Sequence, residues 1–393
     1  MDNHILIISI SVLVLIGIII YNPAKTYGVP AALIFILFGF LVGNGEILPA
    51  YNYPEATEFI SQFAICIIIF NGGFNTPLSR IKPVLGEGLM LANVGVLLTA
   101  VLLGAFVSWI TPLTLVEGLL LGAVASSTDA AATFSILKSK NLKLKYETDK
   151  SLEFESATND PMALILVLLF SNMLMEGEGF HLMSNVLFFL QQLLVGAGVA
   201  FVLGMLSRQA FKYLKFREES LKPISILAIL IITTLTAVEL GGNLLLASYV
   251  LGLILANSKF RFKKTSQKVF ESFTWLSQAL MFVLLGLQIF PSEVKDVLSI
   301  AWLPTLFLFI VARPLSVLAS YLPFRQPFRK QLFISWIGIK GATPIVFALI
   351  PLIMGVPNSD LIFNMIVIIV ISSMVIHGFS LDIAAKKLGL IDK

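Results

Sequence analysis

The chain has 393 residues, of which 57% are hydrophobic and only 13% are charged. Soluble globular domains carry about 25% charged residues, so this composition excludes an ordinary soluble protein and predicts an integral membrane protein made of spanning helices. The formal net charge of +4 is spread over the connections between apolar segments, which argues against a nucleic-acid partner. The lipid bilayer is therefore the expected surroundings of this chain.

Apolar stretches of membrane length recur from the N-terminus onward. The first, from residue 4, lacks the basic n-region and the cleavage site of a signal peptide, so it is interpreted as a span. In chain order the sequence predicts thirteen spans, at residues 4–20, 28–43, 58–74, 84–109, 115–137, 152–174, 184–207, 221–240, 243–257, 270–290, 297–322, 331–353 and 361–385.

The basic residues predict the orientation of these spans. Nearly all of the 27 Lys and Arg residues lie in one set of alternate connections, whereas the opposite set holds Lys295. Cytoplasmic loops collect Lys and Arg, so we expect the N-terminus outside and the C-terminus in the cytoplasm of a cell inner (plasma) membrane. Two basic residues, Arg313 and Lys340, fall inside predicted spans.

Two spans look interrupted. The fifth runs through Ser-Ser-Thr-Asp at 126–129, and the twelfth runs through Gly-Ile-Lys-Gly-Ala-Thr-Pro at 338–344. They are seven spans apart and so cross the membrane in opposite directions. Matching interrupted helices in inverted halves indicate the midplane site of a secondary transporter. Small-residue packing or a proline kink would explain the alanines or Pro344, but neither explains Asp129 or Lys340.

The sixth span carries the densest polar group, Glu155, Ser156, Asn159 and Asp160. Residues four apart share a helical face, so Glu155 and Asn159 lie beside Ser156 and Asp160. A carboxylate at membrane depth costs about 2.5–3.5 kcal/mol, and for that reason marks an ion or proton pathway by default. The alternative is a helix N-terminus at the bilayer surface, where Ser, Asn and Asp cap free N–H groups.

Asp129 and Asp160 have the most oxygen-rich neighbours of the carboxylates inside the spans; Glu87, Glu239 and Asp382 lie nearer to span ends. Hydroxyl, carbonyl and carboxylate oxygens suit Na⁺ or K⁺. The three histidines are too far apart in sequence to form a transition-metal site, and we expect no cofactor; His377 is interpreted as a packed or interfacial residue.

A buried carboxylate that binds either a cation or a proton is the simplest antiport device. Asp160 is the first candidate for that role. Glu155 would act differently, as the fixed partner of Lys340 or Arg313, because a buried positive charge needs a counter-charge.

These residues resemble a known family. Thr128-Asp129, the stretch Glu-Ser-x-x-Asn-Asp-Pro at 155–161, and Gly-Ile-Lys-Gly at 338–341 are similar to the cation/proton antiporters of the NhaP and eukaryotic sodium/proton exchanger type. Within that family the stretches look closest to bacterial NhaP-like potassium/proton antiporters of the CvrA kind. The resemblance covers essentially the whole chain.

The resemblance implies an all-α, NhaA-like antiporter fold of about thirteen transmembrane helices in inverted repeats, with spans five and twelve discontinuous and crossed. It implies a homodimer and an elevator-like movement. The implied domains are dimerisation segments at 1–83 and 221–296, ion-translocation segments at 84–183 and 297–393, and a linker helix at 184–220.

The resemblance also implies residue roles and an activity. Asp160 would bind cation and proton competitively, and Ser156 with the backbone of Thr128 would complete the cation shell. Asp129 would contribute to the site or balance the dipoles of the interrupted helices, and Asn159 would orient the unwound segment. Glu155 would pair with the base at position 340. The implied activity is electroneutral, one-to-one exchange of K⁺ and/or Na⁺ for H⁺.

Three departures from the family pattern stand out. Lys340 occupies a position where relatives have Arg, and an ammonium lacks the bidentate fork of a guanidinium. Asn71, on a possible ion path in the third span, replaces a usual Glu or Asp. Relatives of the CvrA kind also carry a cytoplasmic regulatory domain after the membrane part, and we expect that domain to be absent or removed here.

Other function classes fit less well. A channel favours repeated pore loops or a ring of subunits rather than an inverted pair of interrupted helices. An intramembrane enzyme is not indicated, because the sequence contains neither His-Glu-x-x-His nor Gly-x-Ser-x-Gly. A cation channel or a cation-coupled symporter on the same kind of fold remains the alternative to antiport.

Overall fold

The computed structural model describes residues 8, 11, 12, 15, 31–43, 51, 53–129, 144–177, 182–213, 218, 220–260 and 262–392. Its helices are α1 (Ala31–Gly43), α2 (Pro54–Phe74), α3 (Leu78–Ile110), α4 (Leu115–Ser126), α5 (Thr148–Glu176), α6 (Leu182–Tyr213), α7 (Leu221–Glu239), α8 (Leu244–Ala256), α9 (Lys263–Leu287), α10 (Pro291–Tyr321), α11 (Phe328–Trp336), α12 (Ala342–Met354) and α13 (Ser359–Lys387).

The described part of the chain is helical apart from its connections and one isolated bridge between Leu144 and Ile391. Eight of its helices are long and apolar enough to cross a membrane. The prediction of a multi-pass, all-α membrane protein is therefore confirmed. The first predicted span lies almost entirely outside the described residues, and the count of thirteen spans stays a prediction.

Two long helices each contain one π-helical turn, Leu91–Gly95 in α3 and Leu308–Ala312 in α10. The second has a local cause, because Pro314 lies two residues after it and has no N–H to donate to Ile310 within the turn. A π turn absorbs such a missing bond and rotates the residues after it, and these turns are frequent at functional sites. Arg313 is the first residue after this turn.

The chain divides into two compact units. The first comprises Met1–Ser61, Val84–Glu178 and Ala279–Lys393, and the second comprises Gln62–Pro83 and Gly179–Gln278. The core of the second unit is largely aromatic: Phe70 stacks with Phe74 at 5.3 Å between ring centroids, and Phe270 contacts both rings. The predicted dimerisation and ion-translocation roles of chain segments remain predictions.

In the first unit, glycines bring α3 and α4 into close contact. A Cβ on Gly104 would lie 2.7 Å from the Leu119 backbone, and a Cβ on Gly122 would collide with the Ala100 carbonyl. Small residues let membrane helices approach to backbone contact, where van der Waals packing replaces the hydrophobic effect. This contact holds α4 against α3, and it thereby positions Ser126, the last residue of α4.

Candidate functional site

The fifth predicted span is interrupted where its polar run begins. Helix α4 ends at Ser126, and residues 127–129 continue in a non-helical conformation. The rest of that predicted span falls in 130–143, outside the described residues. The hydroxyls and the carboxylate of residues 127–129 are therefore carried on an unwound segment rather than on a helical face.

The twelfth predicted span is interrupted as well, because α11 ends at Trp336 and α12 begins at Ala342. A Cβ on Gly341 would collide with the Asp129 side chain, so a larger residue at this position would displace Asp129. The Asp129 N–H donates to the Ile339 carbonyl at 2.8 Å. The two unwound segments thus contact each other and satisfy part of each other's freed backbone.

Asp160 lies opposite these segments on α5. Its side chain is buried, with 5% of the residue exposed. Ser127 Oγ donates to its Oδ1, and Thr343 Oγ1 donates to its Oδ2 at 3.4 Å. No Lys or Arg forms an ion pair with Asp160 among the described residues. One carboxylate therefore receives a hydroxyl from each interrupted span and no direct positive charge.

A second hydrogen-bonded group lies next to Asp160 in the sequence. Thr128 Oγ1 lies 3.0 Å from Ser156 Oγ and accepts a hydrogen bond of 2.5 Å from Asn159 Nδ2. All three residues are buried, and Asn159 Oδ1 has no hydrogen-bond partner among the described residues. The structure thus brings Thr128, Ser156 and Asn159 together, and their role in holding a cation stays a prediction.

The capping alternative for this stretch is excluded. Helix α5 begins at Thr148, so Ser156, Asn159 and Asp160 lie two or more turns inside it and cannot cap its first N–H groups. Asp160 is followed by Pro161 within the same helix, whose missing N–H leaves one backbone carbonyl in this region without its helical donor.

The sequence left two bases open as partners of Glu155, and the resemblance implied Lys340. The structure places Arg313 on the carboxylate instead, with Nη2 at 2.6 Å from Glu155 Oε1. Lys340 Nζ donates to the carbonyls of Ser126 and Ser127, at 3.2 and 2.9 Å. The expectation of a Glu155–Lys340 pair is therefore corrected: an ammonium binds the carbonyl end of α4, where the helix dipole is negative.

Sequence reasoning missed a second buried ion pair. Lys330 Nζ lies 2.5 Å from Glu87 Oε1, with side chains 0% and 2% exposed. Ser151 Oγ also donates to Glu87 Oε1, at 2.5 Å, and Lys330 Nζ donates to the Tyr146 carbonyl. Lys330 lies just before the twelfth predicted span, in a connection predicted to be cytoplasmic, whereas in the structure it belongs to α11. The one signal in the sequence was Glu87 itself, because a carboxylate inside a predicted span needs a basic partner.

Ser127 and Thr343 were also missed as direct partners of Asp160. Both lie in segments that the sequence marked as interrupted, and hydroxyls beside a helix break were the available signal. Asn71 lies half-buried in α2, where its Oδ1 accepts from Asn75 Nδ2 at 2.7 Å. Its place on an ion path stays a prediction.

Comparison with known proteins decides the family. A model described as "sodium/hydrogen exchanger, transmembrane" matches residues 10–387. The chain belongs to the sodium/hydrogen exchanger family. Similar members include the K(+)/H(+) antiporter NhaP of Alkalimonas amylolytica, 37% identical over 98% of this chain, and the K(+)/H(+) antiporter NhaP2 of Shewanella oneidensis, 34% identical over 96%. The chain spans 67% and 66% of the lengths of those two proteins.

The fold of this exchanger-family chain matches a solved one. The sodium proton antiporter MjNhaP1 of Methanocaldococcus jannaschii superimposes with a TM-score of 0.85 over 99% of both chains, at 18% sequence identity. At that identity the match establishes the fold alone. The predicted antiporter fold is thereby confirmed at the level of architecture, whereas the crossing of the two interrupted helices stays a prediction.

Proposed function

We propose that this chain is a secondary transporter that exchanges a monovalent cation for protons, with Asp160 as the group that binds either one. The observation that carries the proposal is the setting of that carboxylate: it is buried, it receives hydrogen bonds from Ser127 and Thr343, and it has no ion-pair partner among the described residues. An unpaired buried carboxylate must be neutralised by a mobile positive charge.

Hydroxyl partners suit this exchange. A hydroxyl both donates and accepts, and it rotates, so it can donate to the ionised carboxylate and accept from the protonated one. It can also turn an oxygen lone pair toward a bound cation. Guanidinium and ammonium groups can donate to the ionised carboxylate. They can neither accept a hydrogen bond from the protonated carboxyl nor coordinate a cation, because they only donate.

The cation shell that we propose consists of Asp160, Ser156, Thr128 and Asp129, with Asn159 holding the unwound segment. Two contacts support it: Thr128 Oγ1 lies against Ser156 Oγ, and Asn159 Nδ2 binds the same Thr128 oxygen. Hydroxyl, carbonyl and carboxylate oxygens are the ligands that alkali cations prefer.

K⁺ is the first candidate cation and Na⁺ the second. Two relatives that match nearly the whole chain are named K(+)/H(+) antiporters, whereas the structural relative is named a sodium proton antiporter. The proposed stoichiometry is one to one and electroneutral, because one carboxylate alternates between one proton and one cation. A titrating Asp129 would make the exchange electrogenic.

We also propose larger-scale features, on the basis of the resemblance of the sequence motifs and of the distribution of the basic residues. These are a homodimer with dimerisation segments at 1–83 and 221–296, an elevator-like movement of 84–183 and 297–393, and an inner-membrane location with the N-terminus outside. None of them is needed for the chemistry proposed at Asp160.

The proposal is tested in proteoliposomes that contain a pH-sensitive dye, with K⁺ or Na⁺ added to wild type and to Asp160→Asn. We expect dye recovery in wild type, loss in the variant and no response to an imposed membrane potential. Because proton and cation compete, the KM for the cation should fall about tenfold per pH unit while Asp160 is mostly protonated. Cation flux without proton movement would contradict antiport and indicate a channel.

A further inference from the structure

A buried histidine of α13 lies in the same unit as Asp160 and has no role in the exchange described above. His377 is 2% exposed. Its ring meets Phe309 with centroids 4.4 Å apart at 68°, and Trp336 with centroids 5.2 Å apart at 90°. Trp336 is itself fixed, because its Nε1 donates to Ser380 Oγ at 2.8 Å. Two edge-to-face contacts therefore hold the imidazole in one orientation.

That orientation aims Nδ1 at Ser373, one helical turn earlier, with Nδ1 and Oγ 2.9 Å apart. The hydroxyl of Ser373 also accepts from the backbone N–H of Lys340, at 2.8 Å. Serines in membrane helices usually donate to the carbonyl four residues before, as Ser316 and Ser320 do in α10. Ser373 makes its two hydrogen bonds to His377 and Lys340 instead.

The proton inventory of this contact allows the Ser373 hydroxyl to be its donor. A backbone N–H can only donate, so Ser373 Oγ accepts from Lys340 and has its own proton left to give. His377 Nδ1 is the acceptor within reach. A neutral imidazole with its hydrogen on Nε2 accepts that proton at Nδ1 and completes both hydrogen bonds of the Ser373 hydroxyl.

Lys340 connects this contact to the candidate site. It lies in the unwound segment between α11 and α12, and its ammonium donates to the carbonyls of Ser126 and Ser127. Ser127 Oγ in turn donates to Asp160. Buried hydrogen bonds thus connect His377 to Ser373, Ser373 to the backbone of Lys340, the Lys340 side chain to the Ser127 carbonyl, and the Ser127 hydroxyl to the Asp160 carboxylate.

We propose that His377 is a positioning residue for cation binding: through the Ser373 hydroxyl it holds the backbone of Lys340 in place, and with it the contacts that Lys340 and Ser127 make around Asp160. This inference rests on the proposed exchange at Asp160 and adds a residue that touches neither cation nor carboxylate.

The test compares four single variants in proteoliposomes. Loss of one neutral hydrogen bond in His377→Leu or Ser373→Ala should raise the KM for K⁺ about 3- to 10-fold. His377→Asn, which retains an acceptor close to the Nδ1 position, should restore most of the affinity. Ser372→Ala is the matched control, because Ser372 is the adjacent half-buried serine of the same helix. The double variant Ser373→Ala/His377→Leu should be no worse than the poorer single variant, because both changes break one path.

A second measurement does not depend on transport. Hydrogen–deuterium exchange of the peptide that covers 337–341 should accelerate in Ser373→Ala and His377→Leu, and stay at the wild-type rate in Ser372→Ala and His377→Asn. Ser373→Ala is a small change that keeps the test available if His377→Leu fails to fold.

Three results would overturn the inference. The first is wild-type KM and wild-type exchange in both Ser373→Ala and His377→Leu. The second is His377→Asn behaving like His377→Leu, which would reduce the role of the ring to packing. The third is additive effects in the double variant. Failure of the proposed function has a different signature, since wild type would then show no cation-dependent proton movement while the exchange rates of 337–341 could still differ.

Discussion

Three of the buried carboxylates in the unit that contains Asp160 differ in their partners. Glu155 and Glu87 each bind a base directly, Arg313 at 2.6 Å and Lys330 at 2.5 Å. Asp160 is equally buried but binds the hydroxyls of Ser127 and Thr343. A carboxylate in an ion pair with Lys or Arg is neutralised within the protein, and removing either partner leaves a buried charge without its counter-charge. A carboxylate among hydroxyls takes its neutralising charge from outside, which is what a transport site requires.

The largest effect is expected at the carboxylate without a base. Asp160→Asn should reduce cation-dependent proton movement to the level of empty liposomes, because an amide neither gains nor loses a proton at neutral pH. Folding should persist, since an amide can pair with the same two hydroxyls. Dye recovery measures the loss, and Asp360→Asn, at an exposed aspartate of α13, is the matched control. Exchange at the wild-type rate in Asp160→Asn would refute the assignment.

The next effect is on stability, at Arg313. Arg313→Met leaves Glu155 buried without its base, which should lower the free energy of unfolding by about 3–5 kcal/mol. The double variant Glu155→Gln/Arg313→Met should recover most of that loss, because no charge is then stranded. Chemical unfolding followed by tryptophan fluorescence gives both values. A single variant as stable as wild type would mean that the pair is dispensable.

Lys330→Met should destabilise the protein by about 3 kcal/mol, near the low end of the same range, because Ser151 still donates to Glu87. The KM for K⁺ in the folded fraction should stay at the wild-type value, since this pair does not touch Asp160. Unfolding and transport are measured on one preparation. Arg329→Met, at the exposed neighbouring base, is the control, and a large change in KM would place the Glu87 pair in the transport cycle.

The smallest effects concern the hydroxyls on Asp160. Ser127→Ala removes a hydrogen bond to a charged group, so the KM for K⁺ should rise about tenfold or more. Thr343→Val removes a longer bond, and we expect a rise of about 2- to 5-fold. Thr343→Ser keeps the hydroxyl and serves as the control. Equal KM values in wild type, Ser127→Ala and Thr343→Val would mean that the hydroxyls do not share in binding.

Much of this architecture follows from local sequence. Composition alone places the chain in a membrane, because every 18- to 25-residue apolar stretch must satisfy its backbone internally and become a helix. Glu155, Ser156, Asn159 and Asp160 lie on one face of α5, because the pairs 155/159 and 156/160 are each four residues apart. The interruptions were readable from the Gly and Pro residues of 338–344 and from the polar run 126–129.

Contacts between distant segments were decided only by the tertiary structure. Three bases were available to the buried carboxylates, and nothing in the sequence tells that Arg313 meets Glu155 while Lys340 meets two carbonyls. Lys330 looked like a loop residue until α11 brought it to Glu87, 243 positions away. Helix formation and membrane insertion depend on neighbours along the chain, whereas the partner of a buried charge depends on how the helices pack, and that geometry is fixed by the whole fold at once.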